Sequence, residues 1–163
     1  MQGRTSDPCR AIAAPTRRSL LLGAPALLLS AGCAQATAQE IIVYKTPWCG
    51  CCGGWVTHMT RAGFQPKVIE TEDLAPVREK HGVPFPLSSC HTALVGGYIV
   101  EGHVPPADVV RLLKEKPKGL GLVVPGMPIG SPGMETPRGD KEAYDTLLLL
   151  DRAGRTRVFA KHA

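Results

Sequence analysis

From residue 39 on, the chain falls into short apolar runs whose spacing alternates between strand-like and helix-like. Ile41-Ile42-Val43-Tyr44 is a continuous apolar run of strand length, closed by the turn Lys45-Thr46-Pro47-Trp48. Trp55, Val56, Met59 and Ala62 recur at three- and four-residue spacing, which predicts a helix over 50–62 with one buried face and Gly63 as its C-cap. Lys67-Val68-Ile69-Glu70 reads as a second strand and Leu74 to His81, closed by Gly82, as a short helix. Pro84-Phe85-Pro86 reads as an extended or turned linker, because a residue before proline avoids the helical region. Thr92 to Val95 and Tyr98 to Glu101 flank Gly96-Gly97, the pattern of a β-hairpin on a two-glycine turn. Pro105 and Pro106 open a helix through Lys116 whose apolar positions are Val109, Val110, Leu112 and Leu113. Beyond Pro117, Val124 to Met134 is a Pro/Gly-rich loop that states Pro-Gly-Met twice, and Tyr144 to Leu150 with Thr156 to Phe159 makes a second hairpin around Asp151-Arg152-Ala153-Gly154.

The resulting order is strand, helix, strand, helix, hairpin, helix, with cysteines at the start of the first helix. That is the order of an α/β, thioredoxin-like fold, here with a Pro/Gly-rich loop and an extra C-terminal hairpin. Glutaredoxin-type chains carry a proline six residues before the glycine of the hairpin turn. Counting back from Gly96 lands on Cys90. A thiol is therefore expected where a cis-proline would face the helix-borne cysteines.

The N-terminal 38 residues read as a separate segment. Arg17-Arg18 precedes an apolar stretch from Leu20 to about Ala31, too short for a permanent membrane span and typical of an export signal of twin-arginine type. Two processing outcomes compete. Leu29-Ser30-Ala31-Gly32-Cys33 resembles a lipoprotein box that would anchor the chain through a lipid on Cys33, whereas Ala36-Thr37-Ala38 offers ordinary signal cleavage before Gln39. Residues 1–38 are thus expected to be the signal and 39–163 the thioredoxin-like domain, placing the protein in the periplasm or otherwise outside the cytoplasm. Four of the 19 Lys and Arg and one of the 14 Asp and Glu precede residue 39, which leaves the remainder near neutral at +2. No basic stripe interleaved with aromatics survives, so nucleic acid is not an expected partner. About 125 residues are enough for a core without a disulfide framework, and the four cysteines beyond the signal are free for chemistry.

Cys49-Gly50-Cys51-Cys52 places three thiols in four residues. Trp48, Cys49 and Cys52 alone match a Trp-Cys-x-x-Cys redox element, in which Cys49 and Cys52 would be the catalytic pair. A dithiol needs two sulfurs, so Cys51 is superfluous for thiol exchange and useful for a soft metal ion. Unpaired N–H groups and the positive dipole end of a helix favour thiolates there, but three of them repel one another unless a cation intervenes. Sulfur ligands select Cu(I) or zinc over hard ions. Four thiolates leave one zinc at −2, whereas thiolates bridging several Cu(I) ions approach neutrality, which a half-buried site tolerates better. A bland alternative is a pair of disulfides, for which four cysteines allow three pairings.

His91 adjoins Cys90 and is a candidate ligand or proton donor; His103 is a further one. His58 lies two helical turns beyond Cys51, roughly 10 Å along the axis, so it would need a second site. Met127 and Met134, in the Pro/Gly loop, are candidates because thioethers suit Cu(I), although loop methionines also serve as gap-fillers.

Taken together, Thr46-Pro47-Trp48-Cys49-Gly50-Cys51-Cys52-Gly53, Ser89-Cys90-His91-Thr92-Ala93, Val100-Glu101-Gly102-His103-Val104-Pro105 and the Val124 to Met134 loop resemble the exported CopG-type copper-resistance proteins. The resemblance covers essentially all of residues 39–163. It implies a Cys-x-Cys-Cys copper site on a thioredoxin-like scaffold, carried here by Cys49, Cys51, Cys52 and Cys90, with roles in copper resistance and in copper redox interconversion. Copper ions, as Cu(I), are then the expected ligand, zinc the alternative, and other periplasmic copper-handling proteins the expected partners. Whether the chain turns copper over as an oxidoreductase or only buffers it is left open by the residues. The competing class is a periplasmic thiol-disulfide oxidoreductase.

Overall fold

The structure is a computed structural model that describes residues 39–163; the expected signal, the twin-arginine pair and Cys33 lie outside the described residues. Seven strands and three α-helices follow the order β1 (Glu40–Lys45), α1 (Gly50–Arg61), β2 (Gln65–Glu70), α2 (Ala75–His81), β3 (His91–Val95), β4 (Tyr98–Glu101), α3 (Pro106–Glu115), β5 (Gly121–Val123), β6 (Tyr144–Leu149) and β7 (Thr156–His162). They form a mixed α/β architecture around one sheet in the order β2-β1-β3-β4-β5-β6-β7. β1 pairs parallel with β2 and antiparallel with β3, and the β3–β4 hairpin turns on Gly96-Gly97 as its sequence demands.

Strand alternation sorts the apolar side chains onto two faces. Ile41, Val43, Ala93, Val95, Val100, Leu122 and Leu148 pack with Trp55 and Met59 of α1 and Val109 and Leu112 of α3. Their neighbours Ile99, Val123 and Leu149 point the other way, against Val83 and Leu87 in the segment after α2. Trp55 is wholly buried, and its indole N–H donates to the Val104 carbonyl at 2.8 Å, so α1 is tied to the chain leaving β4.

Three segments add detail to the sequence reading. Pro84-Phe85-Pro86 is extended at Pro84 and then turned, residues 85–87 forming a 3₁₀ turn. β5 carries no sequence signal of its own. Three residues become a strand because β4 offers a parallel edge and β6 an antiparallel one, and this splint makes the C-terminal hairpin part of the main sheet. β7 also runs three residues past Phe159, to His162. Its end is pinned to α3, since His162 Nε2 lies 2.9 Å from Asp108 Oδ2 and the Arg111 guanidinium sits 3.7 Å over the Phe159 ring.

The Pro/Gly-rich loop returns to the first helix. Gly133 has φ +89°, and a Cβ there would stand 2.5 Å from the Cys51 carbonyl oxygen and 2.6 Å from the Trp55 nitrogen. Only glycine lets the loop lie this close to the first turns of α1, so the loop roofs the end of the helix that carries the thiols.

Candidate metal centre

Cys49 is the N-cap residue of α1, and Cys51 and Cys52 fall in its first turn, which contains no acidic side chain to compete for the unpaired N–H groups. Cys49 and Cys52 are joined as a disulfide, with Cα atoms 5.4 Å apart; Cys51 and Cys90 are free. Of the pairings the sequence allows, the structure holds this one bond and no second. Cys51 Sγ lies 3.5 Å from Cys49 Sγ and 3.8 Å from Cys90 Sγ, and the buried Cys52 Sγ stands 3.6 Å from the Cys90 carbonyl oxygen. All four sulfurs lie within 4.8 Å of one another. Cys90 therefore does face the helix-borne thiols, and the separation of 39 positions between it and Cys51 is bridged by the β1–β3 pairing.

A second group shares Cys90. His103 Nε2 is 2.9 Å and His91 Nδ1 3.4 Å from its sulfur, so His103 is the nearer of the two. His103 Nδ1 lies 2.8 Å from the Pro132 carbonyl, which can only accept, so Nδ1 carries the proton and the Nε2 lone pair faces Cys90. Both rings are fully buried. Burial lowers the His103 pKa against the pull of the Pro132 carbonyl, and burial, then the neighbouring His103 and Arg78, bring that of His91 down to about 3. His91 packs at 4.4 Å against the Trp55 ring, and its Nε2 is buried without a hydrogen-bond partner. Burial and the adjacent Cys51 push the Cys90 thiol up to about 12. In the metal-free protein Cys90 is thus a neutral thiol donating to His103, and both imidazoles are neutral bases.

The remaining candidates are placed as follows. Met127 is exposed on the loop, and Met134 is half-buried in the turn that Gly133 seats on α1. His58 is not with the thiols: its Nε2 pairs with Glu135 Oε1 at 2.6 Å. Solvent reaches Cys49 and Cys90 through an open groove of about 420 Å³ beside Trp48 and Glu72. A larger groove of about 560 Å³ near Phe85 and Arg152 holds no cysteine or histidine.

Sequence reasoning missed Glu101 and Arg78. Glu101 is buried at the end of β4 and receives Arg78 Nε at 2.9 Å, the Ser89 N–H at 2.7 Å and the Thr92 hydroxyl at 2.6 Å. The signal was a carboxylate in the apolar run Tyr98-Ile99-Val100-Glu101, where β-alternation alone points to no partner.

The donor set is all sulfur and imidazole, with no carboxylate in either group. Such a set suits Cu(I), then zinc, and excludes magnesium or calcium. With the disulfide closed, two of the four sulfurs bond each other; two electrons and two protons return them to thiols before all four can ligate. Among the described residues no helix is long and apolar enough to cross a membrane.

Comparison with known proteins points the same way. A family model described as a protein of unknown function, DUF411, matches residues 87–134, which include Cys90, His91, His103 and both loop methionines. No curated protein matches the chain. Two solved structures are similar. One, described as copper resistance protein copG, form 2, is 39% identical with a TM-score of 0.71, over 77% of this chain and 98% of that chain. The other, form 1, is 40% identical with a TM-score of 0.70, over 76% of this chain and 96% of that chain. Because that identity extends over nearly the whole length of both neighbours, the chain belongs to the CopG family of copper-resistance proteins.

Proposed function

We propose that this chain is an exported protein that holds Cu(I) on Cys49, Cys51, Cys52 and Cys90, as a thiolate-bridged site of more than one copper, in copper resistance or homeostasis. The observation that carries this reading is the convergence of four sulfurs within 4.8 Å, adjoined through Cys90 by two buried imidazoles. A single Cu(I) needs fewer thiolates than are gathered, and a bridged cluster disposes of their charge in a half-buried site. His91 and His103 supply further donors at Cys90, and Met127 and Met134 thioethers on the adjoining loop. The name of the similar structures, copper resistance protein copG, supports copper over zinc. A thioredoxin-like scaffold is supported by the strand order β2-β1-β3-β4 and its pairing senses. Residues 1–38 act as the export signal, which makes other periplasmic copper-handling proteins the natural partners.

Ligation replaces the Cys90 S–H proton with metal, so copper uptake releases protons. The test is an anaerobic titration of the reduced protein with Cu(I) against a competing chelator. More than one equivalent per chain is expected; saturation at or below one overturns the cluster.

One observation favours a second reading. The Cys49–Cys52 disulfide beside an exposed Trp48 is the arrangement of a thiol-disulfide oxidoreductase, with Cys49 attacking and Cys52 resolving. Cys51, and Cys90 in place of the groove-shaping proline, argue against it. Cys51→Ser separates the two, since it leaves an ordinary Cys-x-x-Cys pair. Loss of most copper with the 49–52 disulfide still forming supports the copper site; full copper stoichiometry together with insulin reduction by wild type supports the oxidoreductase.

A further inference from the structure

We infer that Arg78 and the buried Glu101 are a positioning pair for Cys90: the pair sets where the strand-borne sulfur stands against the thiols of α1, and so how tightly copper is held, an inference that rests on the copper reading above. Neither side chain hydrogen-bonds a sulfur. Both act on the segment that carries one.

Glu101 lies opposite Thr92 in the β3–β4 ladder. Its Oε1 accepts from Arg78 Nε and from the Ser89 backbone N–H, and its Oε2 from the Thr92 hydroxyl. Arg78, reaching across from α2, uses Nη2 to donate to the Ser89 carbonyl as well. The peptide units on both sides of Ser89 are thereby fixed, one by the carboxylate and one by the guanidinium. Cys90 and His91 are held between Ser89 and Thr92 like a span between two piers. The residue just after β4 adds a third hold: the Gly102 N–H donates to the His91 carbonyl at 2.9 Å, and a Cβ on Gly102 would collide with the Ser89 side chain and lie 2.6 Å from the Val124 carbonyl. The Ser89 hydroxyl in turn donates to the Gly126 carbonyl, at the foot of the Pro/Gly loop.

Stability alone gives little reason for a charge pair here. Burying the Glu101 carboxylate carries a desolvation cost that the ion pair recovers poorly, and apolar side chains of equal volume often do as well. What an apolar pair cannot do is present acceptors and donors to three groups flanking one cysteine. Partners of this kind, one step removed from the ligands, orient a metal site and set its affinity.

Two variants and one control test this. Arg78→Lys keeps the charge but loses the fork that reaches Glu101 and Ser89 together. Glu101→Gln is isosteric and carries the test if the lysine variant fails to fold. Leu112→Val, in the core of α3, is the control for general destabilisation. The first readout is alkylation of Cys90 relative to Cys51 in copper-free protein with the 49–52 disulfide closed, followed by peptide mass. It should accelerate severalfold in the clamp variants and not in the control. The second is Cu(I) affinity of the reduced protein, expected to fall about tenfold or more. Alkylation ratios and affinities within about twofold of wild type, or equal losses in Leu112→Val at matched melting temperature, overturn the inference. If wild type itself takes up no Cu(I), the proposed function fails, while the alkylation ratio, which needs no copper, still decides the clamp.

Discussion

The two sides of the metal centre are built in opposite ways. The α1 side is local: Cys49, Cys51 and Cys52 are placed by one helix start, and any chain that forms the helix presents them. The β3–β4 side is assembled: Cys90, His91 and His103 meet only if strand pairing, the Glu101 network and the loop at Pro132 all form. The local side holds the disulfide, whereas the assembled side holds two buried, neutral imidazoles and a high-pKa thiol; the open groove reaches both, at Cys49 and at Cys90. The lesson is that redox chemistry sits with the helix, while geometry and the desolvation of the imidazoles sit with the hairpin. The proposed copper site needs both.

Trp55 joins the two sides, so its loss is the largest expected effect. It is fully buried in α1, packs against His91 and donates to Val104. Trp55→Ala should cost about 3–5 kcal/mol from the cavity alone, measured by denaturant unfolding of the disulfide form. Trp55→Phe keeps most of the packing but leaves the Val104 carbonyl unpaired, about 1–3 kcal/mol. If Trp55→Ala unfolds within 1 kcal/mol of wild type, roughly the median for ordinary substitutions, the two sides are not joined here.

Next in size is the ranking within the assembled side. Cys90→Ser should lower Cu(I) affinity beyond the about 10- to 100-fold expected for loss of an outer partner, while His91→Ala and His103→Ala should cost less. The order of the two histidines sharpens the comparison, since His103 is the nearer to the sulfur. Copper binding like wild type in Cys90→Ser and His91→Ala alike would leave the helix thiols acting alone.

How far these two sides were readable from sequence follows the same division. The α1 thiols follow from a helix period and a glycine stop, both local. Cys90 was placed by counting from Gly96-Gly97, which works because a two-residue turn fixes register along the hairpin. The closeness of His103 depends on how Gly102 turns the chain out of β4 and on a carbonyl from Pro132, and no periodicity encodes that. In sequence Arg78 is one of several charges on a short helix and Glu101 a polar strand end; each has meaning only through the other. β5 likewise exists because of its two neighbours rather than its own residues.

A smaller effect concerns pH. His91 is held neutral by burial, with its folded pKa about 3 against an ordinary 6.5. Between those values the unfolded chain binds a proton that the folded chain refuses, so this contribution is intact above about pH 6.5 and is lost as pH falls, by up to ~1.4 kcal/mol per pH unit. Burial shifts His103 the same way, while the raised Glu101 carboxyl works against both. Unfolding of the disulfide form from pH 7 to pH 4.5 should show stability falling with acid, and His91→Gln should flatten the slope. A slope unchanged in that variant would mean His91 titrates as it does in water, and that the assembled side is wetter than its burial indicates.

The smallest effect is expected at His58, which shares α1 with the thiols yet belongs to neither side of the site. Its Nε2 meets Glu135 at 2.6 Å, but both side chains are substantially exposed, at 34% and 53%. Exposed pairs of this kind are worth about 0–1 kcal/mol. Glu135 also accepts the Gly133 N–H at 2.9 Å, so the pair helps to seat the loop on α1 without touching a sulfur. His58→Ala should therefore leave copper stoichiometry unchanged and shift the unfolding midpoint only slightly, with the shift shrinking as salt is raised. A loss of bound copper in His58→Ala would mean that the loop, and not the helix and hairpin alone, closes the metal centre; Glu135→Gln, which keeps the shape and removes the charge, should then lose copper as well.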